Sequence, residues 1–180
     1  MVEMVITGLA IDTANQSPII MLRDLSGKRQ VPVNIDKALA HDIIASLKKL
    51  PSSKPRTHDL MISILKLANL NIKHIVINKN KDNNLHCLLK LTIGNSNKQK
   101  NSDVIENKPI EIESGVGDAI ALAVRTNCQI WMIESILADS SLPVSQIADK
   151  EDQDEFKRFL DKVKPSDLIR YKKSNEHSDS

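Results

Sequence analysis

The sequence predicts an α+β fold in which a mixed, largely antiparallel sheet packs against helices, followed by a C-terminal helical extension. Several segments alternate apolar and polar residues, as half-buried strands do. Other segments repeat apolar residues at the spacing of one helix face. Because the two kinds of segment are mixed along the chain without strict alternation, an α+β arrangement is favoured over a parallel α/β sheet.

The N-terminal part of the chain is predicted to form three strands and a helix. Residues 2–11 alternate as a strand. Residues 18–23 and 28–33 form the next two strands, joined by a glycine-containing turn. Residues 36–50 carry apolar side chains at helical spacing and are predicted to be a helix.

The middle of the chain adds one helix and two strands. A linker rich in proline and serine at 51–55 precedes a predicted helix at 57–68. Residues 72–77 and 85–93 are predicted strands, and the second separates a clean apolar face from a polar one. Residues 95–107 are rich in Asn and Lys and show no periodicity, which predicts a loop.

The next segment is predicted to run from a short strand at 109–113 through a Gly-x-Gly turn at 115–118. A helix follows at 119–125, apolar on every side and therefore expected to be buried. Residues 130–133 are predicted to be the last strand, and 134–150 a weakly patterned connection.

The chain of 180 residues fits one domain with an appendage. We place the boundary after residue 138, which gives an α+β domain at 1–138 and a helical extension with a charged tail at 139–180. The extension contains a predicted amphipathic helix at 151–164, and Pro165 ends it.

Composition restricts the class of protein. Hydrophobic residues make up 41% and charged residues 27%, as in ordinary soluble domains. No apolar run reaches the roughly 18 residues that span a bilayer, so we expect no membrane association. The two cysteines, Cys87 and Cys128, lie far apart and form no CxxC motif, which predicts a reduced cytoplasmic protein without a structural zinc site.

Charge and aromatic content bear on nucleic-acid binding. Residues 1–94 carry 13 Lys and Arg against 7 Asp and Glu, which suits a polyanion and equally suits an ordinary solvated surface. Residues 1–130 contain no Phe, Tyr or Trp, so no aromatic platform for stacked bases exists there. Any contact with DNA or RNA would therefore be electrostatic or mediated by a metal.

Four polar residues cluster at the start of the predicted helix at 57–68, and two interpretations are open. In the first they only begin a helix: Thr57 is the N-cap, Asp59 favours the helix dipole and His58 is exposed. In the second they form half of a site. Asp59 is then an oxygen ligand for Mg²⁺ or Mn²⁺, His58 a ligand or general base, and Arg56 a phosphate contact.

Asp118 follows the Gly-x-Gly turn at the start of the next helix. Such a turn can present backbone N–H groups to an anion, although the fuller dinucleotide-binding motif is absent. Asp118 is either an ordinary acid of a helix start or a second metal ligand. Asp59 and Asp118 together would suit a metal-assisted phosphodiester hydrolase if the fold brings them together. His41 and Asp42 are neighbours on one helix and do not share a face, so they are not predicted to act as a pair.

Three blocks, in order, resemble the bifunctional nuclease domain family. They are Val31-Pro32-Val33, then Pro55-Arg56-Thr57-His58-Asp59-Leu60, and finally Asp118-Ala119-Ile120-Ala121-Leu122-Ala123-Val124-Arg125, which Ile112 precedes. The resemblance covers about residues 1–138. It implies a compact α+β domain, a homodimer, and a nuclease that cleaves DNA or RNA.

Carried over to the matching positions, the resemblance implies roles for six residues. His58, Asp59 and Asp118 are candidate catalytic residues, and the two aspartates are also candidate ligands for Mg²⁺ or Mn²⁺. The candidate substrate contacts are Arg56, Thr57 and Arg125.

The chain also departs from the family pattern. The family's Gly and Glu in the first block fall at Asp36 and Leu39, and its Arg-Pro-Ser before the aspartate is Gly115-Val116-Gly117. Aromatic positions are occupied by Asn34 and Leu85-His86. These changes remove a possible ligand or base and a possible phosphate contact. A catalytically silent, dimeric binding or regulatory module of the same fold is therefore the alternative to an active nuclease.

Overall fold

A computed structural model describes residues 1–12, 16–79, 84–94 and 110–143. The described strands are β1 (Val2–Ile11), β2 (Pro18–Asp24), β3 (Arg29–Asn34), β4 (Leu70–Lys79), β5 (Leu85–Ile93), β6 (Ile110–Ser114), β7 (Gln129–Met132) and β8 (Leu142–Pro143). The described helices are α1 (Lys37–Leu47), α2 (Thr57–Leu67), α3 (Val116–Thr126) and α4 (Glu134–Ser140).

The strands form one sheet in the order β6-β5-β4-β7-β1-β2-β3-β8. Neighbouring strands are antiparallel except for β4 and β7, which run parallel with Ile75 opposite Ile130 and Ile77 opposite Met132. The predicted α+β fold with a mixed, largely antiparallel sheet is confirmed. The predicted loop at 95–107 and the predicted helix at 151–164 lie outside the described residues.

Helix α3 lies at the centre of the fold and contacts two helices, α1 and α2, and four strands, β3, β4, β5 and β7. Its residues Ala119 to Ala123 are all buried, as the apolar pattern predicted. Three of these five residues are alanines, whose small side chains allow the helix to approach the sheet closely. Because α3 is packed on several sides, the fold fixes the positions of Asp118 at its start and of Arg125 near its end.

Local signals explain the helix ends. Asp36 is the N-cap of α1, and its carboxylate accepts a hydrogen bond from the backbone N–H of Leu39 at 2.8 Å. Helix α3 ends at Asn127, whose φ of +54° is the left-handed conformation that Asn tolerates. Asp36 therefore marks the start of α1, and Asn127 marks the end of α3.

Two predictions about this part of the chain were wrong. Helix α3 begins at Val116, so Gly117 is inside the helix and does not belong to an anion-binding turn. A Cβ atom at Gly117 would lie 2.3 Å from Cδ2 of Leu39, so the glycine permits the close approach of α1 and α3. Residues 134–143 form α4 and β8, which are too short to produce a clear periodicity in the sequence.

A buried carboxylate organises the turn between β2 and β3. Asp24 accepts hydrogen bonds from the backbone N–H groups of Lys28 and Arg29, from Ser26 Oγ and from Arg29 Nε, at 2.9–3.3 Å. Arg29 Nη1 also donates to Glu134 Oε1 at 2.6 Å, which ties the turn to α4. Burial alone would raise the pKa of Asp24, but the hydrogen bonds from Arg29, Ser26 and the backbone outweigh it and lower the pKa.

We expect Asp24→Asn to lower the free energy of unfolding by about 2 kcal/mol at pH 7, because the charge-assisted hydrogen bonds are lost. The folded state holds the pKa of Asp24 below its unfolded value of about 3.9. The stability that the ionised carboxylate contributes is therefore complete above that pH and is lost as the pH falls through the folded pKa. Urea unfolding of both proteins between pH 7 and pH 2 measures this, and a difference that stays constant over the whole range would contradict it.

Candidate functional site

Helices α1, α2 and α3 meet at one buried imidazole. Nδ1 of His58, in the first turn of α2, lies 2.6 Å from Oδ2 of Asp42 on α1. Nε2 of the same ring lies 3.2 Å from Oδ1 of Asp118 in the first turn of α3. We call Asp42, His58 and Asp118 the carboxylate–imidazole cluster. The interpretation of His58 as an exposed residue of a helix start was wrong, because its side chain is buried.

Both contacts of the His58 ring require protons. A ring nitrogen and a carboxylate oxygen form a hydrogen bond only with a proton between them. With both carboxylates ionised, the doubly protonated ring donates to Asp42 and to Asp118, whereas a neutral ring donates to one of them. The arrangement therefore gains or loses a proton without breaking the shorter contact to Asp42. A group that binds and releases protons in a fixed position is suited to general acid–base chemistry.

Arg125 joins the cluster to the start of α2. Its side chain is only 5% exposed. Nε donates to Oδ1 of Asp59 at 2.8 Å, Nη2 donates to Oδ1 of Asp42 at 2.5 Å, and Nη1 donates to the backbone oxygen of Ala121 at 3.0 Å. The planar guanidinium thus holds carboxylates from two helices in fixed directions. Because the other oxygen of Asp42 faces His58, Arg125 indirectly orients the imidazole.

The N-cap of helix α2 lies one residue earlier than the sequence suggested. Arg56 is the N-cap, and its backbone N–H donates to Oδ2 of Asp59 at 3.0 Å. The prediction that Thr57 is the N-cap was wrong: Thr57 is the first residue of the helix and is exposed. The side chain of Arg56 points back towards α1, with Nε 3.7 Å from Oδ1 of Asp42.

The carboxyl group of Asp59 is held by two arginines. Burial would raise its pKa, but the hydrogen bonds from the Arg56 backbone N–H and from the Arg125 guanidinium outweigh burial and lower the pKa. Asp59 is thus ionised at neutral pH and is matched with cationic or N–H partners on both oxygens.

The structure brings the six predicted site residues into one region but pairs them in an unexpected way. His58 contacts Asp118, while Asp59 contacts Arg125 and Arg56. Asp118 remains 57% exposed and is the member of the cluster that faces solvent. The two aspartates therefore have different partners, and their proposed roles stay predictions.

A divalent metal does not fit the donor set at this site. Across the described ranges, no group of three or more His, Cys, Asp or Glu side chains is arranged to hold a metal ion. Both oxygens of Asp59 already accept hydrogen bonds from arginine groups, and Asp118 faces an imidazole nitrogen. We therefore base no chemical step on Mg²⁺ or Mn²⁺ at Asp59 and Asp118, and metal dependence stays a prediction.

Sequence reasoning missed Asp42. It considered only the neighbouring His41, whereas the partner of Asp42 is His58, 16 residues further along the chain on another helix. No local pattern marks such a residue, since its importance comes from the packing of α1 and α2 against α3. Only the fold reveals it.

The described helices are at most 11 residues long, and none of them is long and apolar enough to cross a membrane.

Cys87 and Cys128 are both free thiols. Burial raises the pKa of Cys87 to about 12 and also raises that of Cys128, so both thiols stay protonated at neutral pH.

The carboxylate–imidazole cluster lies inside a region of the chain that matches a known protein family. A family model described as the bifunctional nuclease domain matches residues 20–145. Two curated relatives, both described as uncharacterised proteins of Mycobacterium tuberculosis (strains CDC 1551 / Oshkosh and ATCC 25618 / H37Rv), are each 23% identical to this chain over 174 residues. Each alignment covers 92% of this chain and 97% of the relative.

Proposed function

The chain belongs to the bifunctional nuclease domain family, and on that premise we propose that it hydrolyses phosphodiester bonds of DNA or RNA. The observation that carries the proposal is the carboxylate–imidazole cluster, in which a buried His58 lies between Asp42 and Asp118. Asp118 faces solvent, which makes this end of the cluster accessible to a substrate.

Hydrolysis forms a bond between a water oxygen and phosphorus and breaks the bond from phosphorus to an ester oxygen. It therefore needs a group that accepts a proton from the water and a group that returns one to the leaving oxygen. In the proposal, the Asp118–His58 pair accepts the proton from the attacking water, the leaving oxygen on the opposite side of phosphorus takes its proton from solvent, and the pair then releases its own proton to solvent. Asp42 fixes the ring through Nδ1, so that Nε2 is directed towards Asp118 and the substrate.

The cationic groups around the cluster support an anionic substrate. Arg56 and Thr57 lie at the N-terminal end of α2, where the helix dipole favours an anionic group. The connection at 48–56 contains four basic residues and no acidic one. Arg125 has all three of its nitrogen groups on protein acceptors, so we assign it a positioning role in addition to the predicted substrate contact.

The remaining expectations form part of the proposal. Two widely separated free thiols support a reducing, cytoplasmic environment. Homodimer formation, which the family resemblance implied, is likewise proposed. Mg²⁺ or Mn²⁺ is proposed only as a requirement to be tested, because the described donor set does not suggest where an ion would bind.

A cleavage assay tests the proposal. We expect the purified full chain to cut labelled single- or double-stranded DNA or RNA, and Asp118→Asn to slow cleavage at least tenfold because the solvent-facing proton acceptor is lost. Parallel reactions with Mg²⁺, Mn²⁺ or EDTA measure metal dependence separately. Asp139→Asn is the matched control, since its exposed carboxylate pairs only with Lys79 in the described contacts.

The outcomes are distinct. Loss of cleavage in EDTA would establish a metal requirement, and unchanged cleavage would remove it from the proposal. A correctly folded wild-type protein that cuts none of the four substrates under any condition would overturn the nuclease assignment.

One observation favours a catalytically silent binding or regulatory module instead. Leu39 stands where the family pattern has Glu, and it packs against the core beside Gly117. An apolar contact between α1 and α3 thus replaces an acidic group. Binding of DNA or RNA without cleavage, measured by fluorescence anisotropy in the same samples, would support this second candidate.

A further inference from the structure

The carboxylate–imidazole cluster meets solvent through one carboxylate. The side chain of Asp118 is 57% exposed, whereas those of Asp42 and His58 are 14% and 8% exposed. The described contact of Asp118 is that of Oδ1 with Nε2 of His58 at 3.2 Å. A Cβ atom at Gly115 would lie 3.3 Å from Oδ2 of Asp118, so the glycine leaves the approach to this oxygen open. A substrate can therefore exchange protons with the cluster at one place, the Asp118–His58 pair.

A single place for proton exchange restricts the reaction. In a displacement at phosphorus, the attacking and leaving oxygens lie roughly in line on opposite sides of the phosphorus atom. Hydrolysis in one step therefore exchanges protons at two separated places, and the pair reaches only one of them. RNA offers another route, because each of its phosphodiester groups has a 2′-hydroxyl beside it and DNA has none.

We propose that the substrate of the cluster is RNA and that the 2′-hydroxyl of the RNA, rather than water, attacks phosphorus in the first step. The inference rests on the proposed function, which is phosphodiester cleavage at this cluster, and it names the substrate and the nucleophile. A nucleophile in the same molecule reacts with an effective concentration of about 10⁵–10⁸ M when it is well oriented. RNA thus supplies the rate advantage that the cluster does not supply to DNA.

The first step produces a cyclic phosphate. The 2′-oxygen forms a bond to phosphorus, and the bond from phosphorus to the 5′-oxygen of the next nucleotide breaks. The proton of the 2′-hydroxyl passes to the Asp118–His58 pair, where it completes the hydrogen bond between Oδ1 and Nε2. The leaving 5′-oxygen keeps the electron pair of the broken bond and takes a proton from solvent. The products are a 2′,3′-cyclic phosphate and a 5′-hydroxyl end.

In the second step water opens the cyclic phosphate. The water oxygen forms a bond to phosphorus, the bond from phosphorus to the 2′-oxygen breaks, and one proton of the water goes to solvent. The Asp118–His58 pair returns its proton to the 2′-oxygen and regains its original state. The net reaction is hydrolysis to a 3′-phosphate and a 5′-hydroxyl. Both proton transfers of the pair take place at the same substrate oxygen, which agrees with one solvent-facing carboxylate.

The other donor atoms of the site suit this route. Both carboxylate oxygens of Asp42 and of Asp59 are matched with an imidazole, a guanidinium or a backbone N–H group. A divalent ion held by these carboxylates would have to displace those partners, whereas attack by the 2′-hydroxyl leaves them in place. We therefore expect cleavage of RNA to proceed in EDTA.

One cation of the site remains available to the phosphate. Nε of Arg56 lies 3.7 Å from Oδ1 of Asp42, which is longer than a hydrogen bond, and the side chain is 24% exposed. A guanidinium can donate two parallel hydrogen bonds to a phosphate group. Arg56 is thus placed to bind the phosphate without taking part in the proton transfers.

A single-stranded DNA oligonucleotide with one central ribonucleotide tests the proposal on the wild-type full chain in EDTA. We expect cleavage only after the ribonucleotide, with a 2′,3′-cyclic phosphate on the product, identified by mass spectrometry. The same strand with a 2′-deoxy or 2′-O-methyl sugar at that position should be cut at least roughly 100-fold more slowly, because the attacking hydroxyl is missing or blocked. In water enriched in oxygen-18, the cyclic phosphate should carry no label and the 3′-phosphate that replaces it should carry one labelled oxygen.

A preformed cytidine 2′,3′-cyclic phosphate tests the second step and controls for contaminating ribonuclease. Asp118→Asn, purified in parallel, should open it at least about tenfold more slowly than wild type, because the proton returned to the 2′-oxygen comes from the Asp118–His58 pair. Asp139→Asn should open it at the wild-type rate, since its exposed carboxylate pairs with Lys79 away from the cluster. Equal rates in all three proteins would mean that the activity is a contaminant, and would overturn the proposal.

Failure of this inference and failure of the nuclease assignment give different results. Equal cleavage of the all-DNA strand, products with 3′-hydroxyl ends, or cleavage that occurs only with Mg²⁺ or Mn²⁺ would overturn attack by the 2′-hydroxyl and leave the nuclease assignment standing. A folded wild-type protein that cuts none of the strands would overturn both.

Discussion

Replacing His58 with alanine is expected to reduce the rate of phosphodiester cleavage by about 10²–10⁴-fold, the usual contribution of a general acid or base. The ring is the only group that contacts both Asp42 and Asp118 in the described hydrogen bonds. Without it, the two carboxylates lose the group that lies between them and exchanges a proton with each. The value of kcat/KM on one labelled substrate measures the loss, and it should appear mainly in kcat.

His86→Ala is the matched control for this substitution. His86 also contacts a carboxylate, Glu113 at 3.0 Å, but on strands β5 and β6 and outside the cluster. We expect its cleavage rate to remain within about twofold of wild type, since it contributes no group to the proton transfer. A folded His58→Ala protein that cleaves as fast as the control would remove the cluster from the mechanism.

Asp42→Asn offers a second test of the cluster. The amide keeps a hydrogen-bond acceptor near Nδ1 of His58 but removes the negative charge that faces the ring. We expect the rate of cleavage at pH 7 to fall at least tenfold, because a neutral amide orients the ring less strictly and stabilises a proton on it less well. An unchanged rate would show that the contact between Asp42 and His58 has no part in catalysis.

Much of the fold was predictable because its signals are local. Strand β5 has the bounds that its alternation predicted, and α2 begins at the predicted residue, Thr57. The cap was misplaced by one position, because Arg56 uses its backbone N–H and the Asp59 side chain instead of a hydroxyl. Hydrogen bonds of this kind leave no characteristic residue at the cap position.

The site was only partly predictable because its contacts are distant in sequence. The sequence identified the two matching blocks that contain Asp59 and Asp118, yet it could not assign partners to these two residues. Asp42 lies 83 positions from Arg125, and Arg125 lies 66 positions from Asp59. Such pairs follow from the packing of α1, α2 and α3 around the core, which periodicity does not specify.

Arg125→Met is expected to lower the free energy of unfolding by about 3–5 kcal/mol, because removing one partner of a buried ion pair leaves an uncompensated charge. Asp42 is largely buried and would lose its shortest ionic contact. Asp59 would lose the guanidinium but keep the Arg56 N–H. Chemical denaturation at pH 7 measures the change, and Arg125→Lys should lie between the two proteins since an ammonium cannot form the planar fork.

The effect of the buried charge on stability can be measured separately from the effect of side-chain volume. In Arg125→Met/Asp42→Asn the buried carboxylate is neutral, so part of the lost stability should return. Arg29→Met is the matched control: its guanidinium also bridges two carboxylates, Asp24 and Glu134, but is far more exposed than that of Arg125, and its loss should cost less. If the double substitution is as unstable as the sum of the single ones, the ion pair contributes nothing specific and packing alone explains the effect of Arg125→Met. A folded Arg125→Met protein with a lower kcat and an unchanged KM, beside an unchanged kcat in Arg29→Met, would show that Arg125 acts on the reaction by holding Asp42 against His58.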